Sequence, residues 1–385
     1  MTLQKLEVSH RIPFNKPALE GAEIENILES IRGGVISGDG PFNKKCAEKI
    51  EQLIGARRAL LTPSGTDALE LCSILSNVGP GDEILMPAFT FVSTANAFCL
   101  RGAKPVFVDI RPDTLNVDEA LLESAVTPRT RAIVPVHYAG VACEMDPIMG
   151  VARRHTLTVI EDAAQAFLCT YRGRQLGTIG DLGCFSFHET KTFTCGEGGA
   201  VIVNRPRDVS RAEILHEKGT DRKNFLRGNQ SKYQWVDVGS SFVLSDLLAA
   251  YLLAQVNAAS RIIEKRGAVF TRYQELLRPL EQRGLVRLPT VPDYCTTNYH
   301  LFYLLIDDKD RRNPLLDFLR SRGISAAFHY VPLHQTPYAQ SLGLKCELPV
   351  TESSAARLIR LPFYNDLSPD DQAYIATAIL DYFGV

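Results

Sequence analysis

A lysine becomes a nucleophile when burial strips its proton and a fold holds it against an electrophile. Lys191 is placed for that chemistry: it follows the apolar segment CFSF in the run His188-Glu189-Thr190-Lys191, a few residues beyond Ser186. Alone it reads first as a solvated surface charge, so its meaning depends on its company. The segment VIED ends in Asp162 and continues with Ala163, Ala164 and Gln165, which puts a carboxylate at a strand end and an amide three residues on. A buried acid there needs a cation, although a helix cap or a structural salt bridge would use the same residue. After RALLT comes Pro63-Ser64-Gly65-Thr66-Asp67, where Gly65 allows close backbone approach and the next helix offers the free N–H groups of its first turn. This is either an anion cradle or an ordinary Ser/Thr cap. Gly196-Glu197-Gly198-Gly199 precedes AVIVN, a turn whose glycines permit positive φ or tight backbone approach. It is not a dinucleotide fingerprint.

These residues sit at the ends of short apolar runs, RALLT, EILMP, PVFVD, AIVPV, LTVIED, GCFSF and AVIVN, which alternate with helical patterns between residues 58 and 204. Near-continuous apolar strands are buried on both faces, so the spacing predicts an α/β fold with a mostly parallel central sheet whose ligands meet the carboxyl ends of the strands. Ala68, Leu71, Cys72 and Leu75 mark one helical face, stopped by Gly79-Pro80-Gly81, and a second helix is expected from Val92 to Arg101. Others are expected from about Val117 and Pro147. Residues 18–54 read as helices on either side of a glycine-rich loop, Gly33 to Pro41. A long helical region runs from Ser245 to about Gln282, followed by LFYLLI, helical NPLLDFLRSRG, extended ISAAFHYVPLH and a last helix from Pro369 to Phe383. We divide the chain into a large domain, 1–255, and a smaller C-terminal α/β domain, 256–385.

Composition narrows the functional classes. The 385 residues are 45% hydrophobic and 22% charged, which excludes disorder, and 42 basic against 44 acidic residues leave a net charge of -2. That balance argues against nucleic acid or an anionic membrane as the main partner. No apolar run reaches membrane-spanning length, and the N-terminal MTLQKLEVSHRIPF does not resemble a secretory signal, so the cytoplasm is expected. Nine cysteines without a C-x-x-C pair suggest neither a disulfide framework nor a metal site, but small apolar core residues.

An anion cradle, a carboxylate, an aromatic and a lysine at neighbouring strand ends answer the groups of pyridoxal 5'-phosphate: phosphate, ring nitrogen, ring face and aldehyde. The stretches TPSGTDAL, PAFTFVSTANA, VDIRPDTLNVD, PVHYAG, VIEDAAQA, GTIGDLGCFSFHETK and GEGGAVIVN, continued by FHYVPLH and RLIRLPFYNDLSP, resemble the DegT/DnrJ/EryC1/StrS sugar aminotransferases over nearly the whole chain. The resemblance implies the aspartate-aminotransferase architecture (fold type I) and a homodimer whose subunits complete each other's active sites. It implies that Lys191 binds the cofactor covalently, that Asp162 pairs with the pyridine nitrogen, that Gln165 lies near the ring hydroxyl and that Phe91 stacks on the ring. Gly65, Thr66 and Ser186 match phosphate-binding positions. Where many relatives carry an Asn that reaches the neighbour's cofactor phosphate, VGSSFVLSD offers Ser241. Relatives that dehydrate a sugar at C3 carry histidine where this chain has Lys191, which favours transamination.

The implied reaction takes an amino group from L-glutamate to C4 of dTDP-4-dehydro-6-deoxy-D-glucose, giving a galacto or gluco 4-amino-4,6-dideoxyhexose and 2-oxoglutarate. It would serve surface-polysaccharide or antibiotic-sugar synthesis. A 3-keto-sugar aminotransferase would use the same constellation one carbon over. His188, three residues before Lys191, is a candidate sugar contact, and His329 and His334 in FHYVPLH are weaker ones. A nicotinamide dehydrogenase would need a G-x-G-x-x-G after an early strand, and a regulatory relative an added DNA-binding module. Neither is found.

Overall fold

The apolar runs become strands whose side chains go alternately to two cores. In the computed structural model, which describes residues 11–229 and 231–385, the strands are β1 (Ala59–Thr62), β2 (Glu83–Pro87), β3 (Lys104–Val108), β4 (Thr130–Ile133), β5 (Thr158–Asp162), β6 (Thr170–Tyr171), β7 (Arg174–Gln175), β8 (Leu182–Ser186), β9 (Gly199–Val203), β10 (Val286–Arg287), β11 (Cys295–Thr296), β12 (Tyr303–Ile306) and β13 (Leu358–Arg360). The reading of the N-terminus as no signal rests mainly on residues 1–10, which lie outside the described residues.

The central sheet has the order β1-β9-β8-β5-β4-β2-β3. Its middle is parallel, as expected, through β8-β5-β4-β2-β3, whereas β9 runs antiparallel to both β8 and β1. Leu60, Ile84, Ile160 and Val201 enter the core on one face, and Leu61, Leu85, Val159 and Ile202 the core on the other. The first face is covered by helices α3 (Gly65–Leu75) and α4 (Val92–Cys99). The second is covered by α2 (Pro41–Ile54), which follows α1 (Glu23–Arg32), and by the helix Asp246–Asn257.

The long helical region is two helices, Asp246–Asn257 and Ala259–Gln282, meeting at Ala258, whose ψ of 7° leaves the helical range. After it, β10-β12-β13 form an antiparallel sheet over a separate core of Ile12, Tyr273, Phe302, Leu304 and Ile359. ISAAFHYVPLH departs from expectation. Instead of a strand it makes isolated bridges, Ile12 with Ile324 and Ala327 with Arg360, and ends in a short 3-10 turn from Leu333. His329 and Tyr330 turn toward a cavity rather than along a sheet, and Pro332 has no N–H to extend a ladder. The cysteines also differ in part from expectation: six are buried, but Cys99 and Cys295 are half-buried and Cys346 is exposed.

The glycine-rich break before α2 has a cause. The buried Asp246 carboxylate accepts the Asn43 and Phe42 N–H groups at 2.8 and 3.3 Å, capping α2 from another element. A Cβ on Gly40 would stand 2.4 Å from that carboxyl carbon. Gly199 is constrained in the same way: its added Cβ would meet the Ser64 carbonyl oxygen at 2.3 Å and the Gly65 nitrogen at 2.7 Å, both backbone atoms that cannot rotate away. Gly199→Ala is therefore expected to destabilise the cofactor-free protein by about 1–3 kcal/mol, as overpacking does. Gly79→Ala, with nothing within 4 Å of the added methyl, should change stability by less than about 0.5 kcal/mol. Denaturant titration of both variants checks the pair.

Candidate active site

The carboxyl ends of β1, β5 and β8 converge on a cavity of about 340 Å³ that is closed from the opposite side by β13 and the segment around Tyr330. Asp162 ends β5 and is buried. Its Oδ2 accepts the Thr94 hydroxyl at 2.7 Å and its Oδ1 the Ala164 N–H at 3.1 Å, while Thr94 in turn meets Thr90 at 2.7 Å. No Lys, Arg or His nitrogen of the described residues lies within 4.0 Å of it. Neutral donors thus hold both its oxygens, while the Lys191 amine acts on it electrostatically from the same cavity without pairing with it directly.

Lys191 lies at the end of a hairpin. Ser186 pairs with Gly199 at the base, Phe187 N–H meets the Gly198 carbonyl at 2.7 Å, Glu189 N–H meets Gly196 at 2.8 Å, and Lys191 N–H closes a turn on His188 at 2.9 Å. Gly196 takes φ 87°, the left-handed value its turn requires. The lysine faces the same cavity as Asp162. Loss of hydration pushes its ammonium down from the ordinary lysine value to about 8, with Asp162 opposing the shift and Arg360 adding to it.

The cradle is built by contact. A Cβ on Gly65 would come within 2.7 Å of Ser186 Cβ, so the start of α3 and the end of β8 touch only because the residue is glycine. Ser64 caps α3 by accepting the Asp67 N–H at 3.0 Å, which leaves the N–H groups of Gly65 and Thr66 without an intrahelical carbonyl. The Thr66 hydroxyl lies 2.7 Å from that of Ser93. Helix terminus, hydroxyls and absent Cβ together suit a phosphate. Phe91 caps α4 and lines the cavity with 58% of its surface open. Gln165 is clamped: its Oε1 accepts the Ala139 N–H at 2.7 Å and its Nε2 donates to the Tyr330 hydroxyl at 2.9 Å.

Of the remaining sequence candidates, His188 lines the cavity, with Nδ1 accepting the Thr190 N–H at 3.2 Å and Nε2 3.5 Å from Glu197. His329 also lines it, but both ring nitrogens are engaged, Nδ1 by the Tyr138 hydroxyl and Nε2 by Arg360, each at 3.1 Å. His334 is not in the cavity wall; it pairs with Glu352 at 3.0 Å. Ser241 is not brought to this cavity either: it is exposed, on a backbone bridge to Glu217. The structure adds residues that the sequence reading missed: Thr94, His300, Tyr330 and Arg360. Arg360 had a signal, a charge inside the otherwise apolar LIRLP; the others had none. Burial and the surrounding cations Lys191, Arg266 and Arg360 hold His300 well below the usual histidine value, hence neutral. Among the described residues no group of three or more His, Cys, Asp or Glu is arranged to hold a metal, and no helix is long and apolar enough to cross a membrane.

A buried amine, a carboxylate awaiting a cation and a phosphate cradle around one cavity fit pyridoxal phosphate. Comparison with known proteins agrees. The DegT/DnrJ/EryC1/StrS aminotransferase family model matches residues 17–380. The spore coat polysaccharide biosynthesis protein SpsC of Bacillus subtilis (strain 168) is 35% identical over 382 residues, 97% of each chain. The aminotransferase TlmJ from Streptoalloteichus hindustanus superposes with a TM-score of 0.90 at 28% identity, covering 97% of this chain and 99% of its own. Spr1654 from Streptococcus pneumoniae, in its PLP form, does so with 0.88 at 26%, covering 96% and 97%. With its fold and nearly its whole length in agreement, the chain belongs to the DegT/DnrJ/EryC1/StrS aminotransferase family and is a pyridoxal phosphate-dependent sugar aminotransferase.

Proposed function

We propose that the enzyme moves the amino group of L-glutamate to C4 of dTDP-4-dehydro-6-deoxy-D-glucose, producing 2-oxoglutarate and a dTDP-4-amino-4,6-dideoxyhexose. The observation that carries the chemistry is the placing of Lys191 and Asp162 on one cavity wall. The choice of C4 and of a dTDP sugar is supported by the resemblance of the motif series, from TPSGTDAL to RLIRLPFYNDLSP. Bound here, pyridoxal phosphate supplies a sink for the electron pair released when a Cα–H bond breaks.

The chain's residues do the rest. Lys191 Nζ would hold the cofactor by its aldehyde, and as a free amine it would move a proton from Cα of glutamate in the first half of the reaction and to C4 of the sugar in the second. Asp162, oriented by Thr94 and Ala164, keeps the ring nitrogen protonated. Gly65, Thr66 and Ser186 would hold the phosphate, Phe91 would cover a ring face and Gln165 would stand by the ring hydroxyl. His188 faces the sugar from the rim. His329, with both nitrogens occupied, bears on substrate only through its neighbours.

A second copy of the chain completes the site in this reading. Support comes from apolar surface near Ser241: the loop before α2 and the strand-like segment ending at Ser245 are joined by a bridge between Gly38 and Ser245, and they expose Ile36 and Trp235, the latter by 81%. Ser241 on this segment is the residue that would face the neighbour's cofactor phosphate.

Product analysis tests the substrate. With glutamate and dTDP-4-dehydro-6-deoxy-D-glucose, NMR should show nitrogen on C4, and an amine on C3 would overturn the assignment. Lys191→Ala should lower turnover by at least about 100- to 10,000-fold, the range for loss of an acid–base group, and abolish covalent attachment of the cofactor, as seen by absorbance. Because only the neutral amine attacks an aldehyde, the rate at which cofactor-free protein captures pyridoxal phosphate should rise with pH and level off above about 8, the value to which burial lowers Lys191. A rise continuing toward pH 10 would show a lysine with ordinary hydration.

A further inference from the structure

A second cavity, of about 320 Å³, opens at the edge of the central sheet beside β1 and shares no residue with the catalytic one. Its walls come from α2, β1, the helix Val209–His216 and the short helix Arg222–Leu226. Four cations line it, and two of them are largely spent. Glu51 and Glu213 take Arg58 at 3.2 and 3.0 Å, and Glu213 takes Arg227 at 2.8 Å. Even so, the Arg58 Nε–H is buried without an acceptor. The other two, Lys44 and Lys223, form no ion pair with a described carboxylate. Lys44 is exposed, whereas Lys223 is half-buried. Loss of hydration holds the Lys223 ammonium below the ordinary lysine value, with Asp39 and Glu213 opposing the shift from further off.

The acceptors in the same walls decide what those donors can hold. His216 is 3% exposed, and its Nε2 lies 2.7 Å from the Leu61 carbonyl. A carbonyl only accepts, so the ring proton is on Nε2 and Nδ1 presents a lone pair. That lone pair is buried without a donor among the described residues. Burial, and after it Lys223, pushes His216 down to about 3, so the ring stays neutral and Nδ1 stays an acceptor. Asp39 lines the cavity and accepts no hydrogen bond from a described residue, while Glu48, the other carboxylate there, is exposed. A fully deprotonated anion would suit Lys223 and Arg58 but meet Asp39 and His216 Nδ1 oxygen to lone pair. An anion that brings its own proton satisfies both sets. We propose that this cavity is a second anion site, selective for protonated phosphate: Lys223 and the Arg58 Nε–H hold its oxygens, and Asp39 and His216 Nδ1 accept from its P–OH groups. Sulfate has the same shape and carries no proton at neutral pH, so it is rejected. Leu61, held by His216, is three residues before the Ser64 that caps α3, so an occupied site braces the strand leading into the cofactor cradle.

Calorimetry on the cofactor-loaded protein, whose catalytic cradle the cofactor's own phosphate fills, tests the site. Inorganic phosphate should bind at least about 10-fold more tightly than sulfate at equal ionic strength, the loss expected when a buried acceptor is left facing an anion without a proton. Lys223→Met should weaken phosphate binding at least about 10-fold and leave transamination turnover within about twofold, since Lys223 lies outside the catalytic cavity. Asp39→Asn keeps a residue type that tolerates the φ of 61° found there, and it should raise sulfate binding toward that of phosphate. Equal binding of the two ions by the wild type would mean an adventitious ion only, and it would overturn the proposal even if no variant folds. Absence of phosphate binding to the wild type would overturn it too. Phosphate binding that Lys223→Met leaves unchanged and that the sugar nucleotide displaces would put the ion in the catalytic cavity, against the proposal.

Discussion

The structure turns on a buried carboxylate that no Lys, Arg or His among the described residues pairs with directly. Asp162 is 5% exposed and receives only a hydroxyl and a backbone N–H. A carboxylate in such a place costs several kcal/mol unless a cation arrives, so the empty-handed fold favours a ligand that carries a proton on a ring nitrogen. The surrounding architecture follows from that demand. Parallel strands bring the acid to the carboxyl end of the central strand, α4 supplies Thr94 to aim it, and the neighbouring backbone at Pro135 and His137 bonds the Asp162 N–H and carbonyl. Beneath it Glu161, fully buried, accepts the N–H groups of Gly177, Ile179 and Gly180 and meets His137 at 3.0 Å, so the loop on the far side of β5 cannot drift.

Two kinds of charge share the cavity, and each modifies the other. The amine of Lys191 gives up its proton more readily because it is dehydrated and because Arg360 is near, while Asp162 limits the effect. The histidines at 300 and 329 remain neutral for the same reasons, which leaves them as hydrogen-bonding spacers between cations rather than as acids. A neutral imidazole beside a guanidinium orients it without cancelling its field.

Much of this was legible before any coordinates. Residues whose roles depend on local spacing could be read directly: Asp162 after a buried strand, Gly65 before a helix, Lys191 within a glycine-closed turn. Residues that reach the cavity from another part of the chain could not. Thr94 looks like any helical threonine until β2 and β5 are placed in one sheet, and Tyr330 is one aromatic of several in a segment that reads as extended. The direction of β9 was hidden for a related reason. AVIVN is apolar on both faces whichever way it runs, so composition shows its burial and not its polarity. The family resemblance gave Phe91 and Gln165 expected roles that spacing alone did not suggest, and passed over Arg360, which only three-dimensional packing shows to have no ion-pair partner among the described residues.

The reversed strand has one more effect. Because β9 returns beside β8, the segment that bears Lys191 is tied off at its root by the pairing of Ser186 with Gly199, and the same two residues press against Gly65 and the Ser64 carbonyl. Amine and cradle are thereby parts of a single knot. The wall facing them, Arg360 with Tyr330, is drawn from a different sheet and a different core. A substitution on the second wall can therefore change what the cavity admits without disturbing the packing of the first.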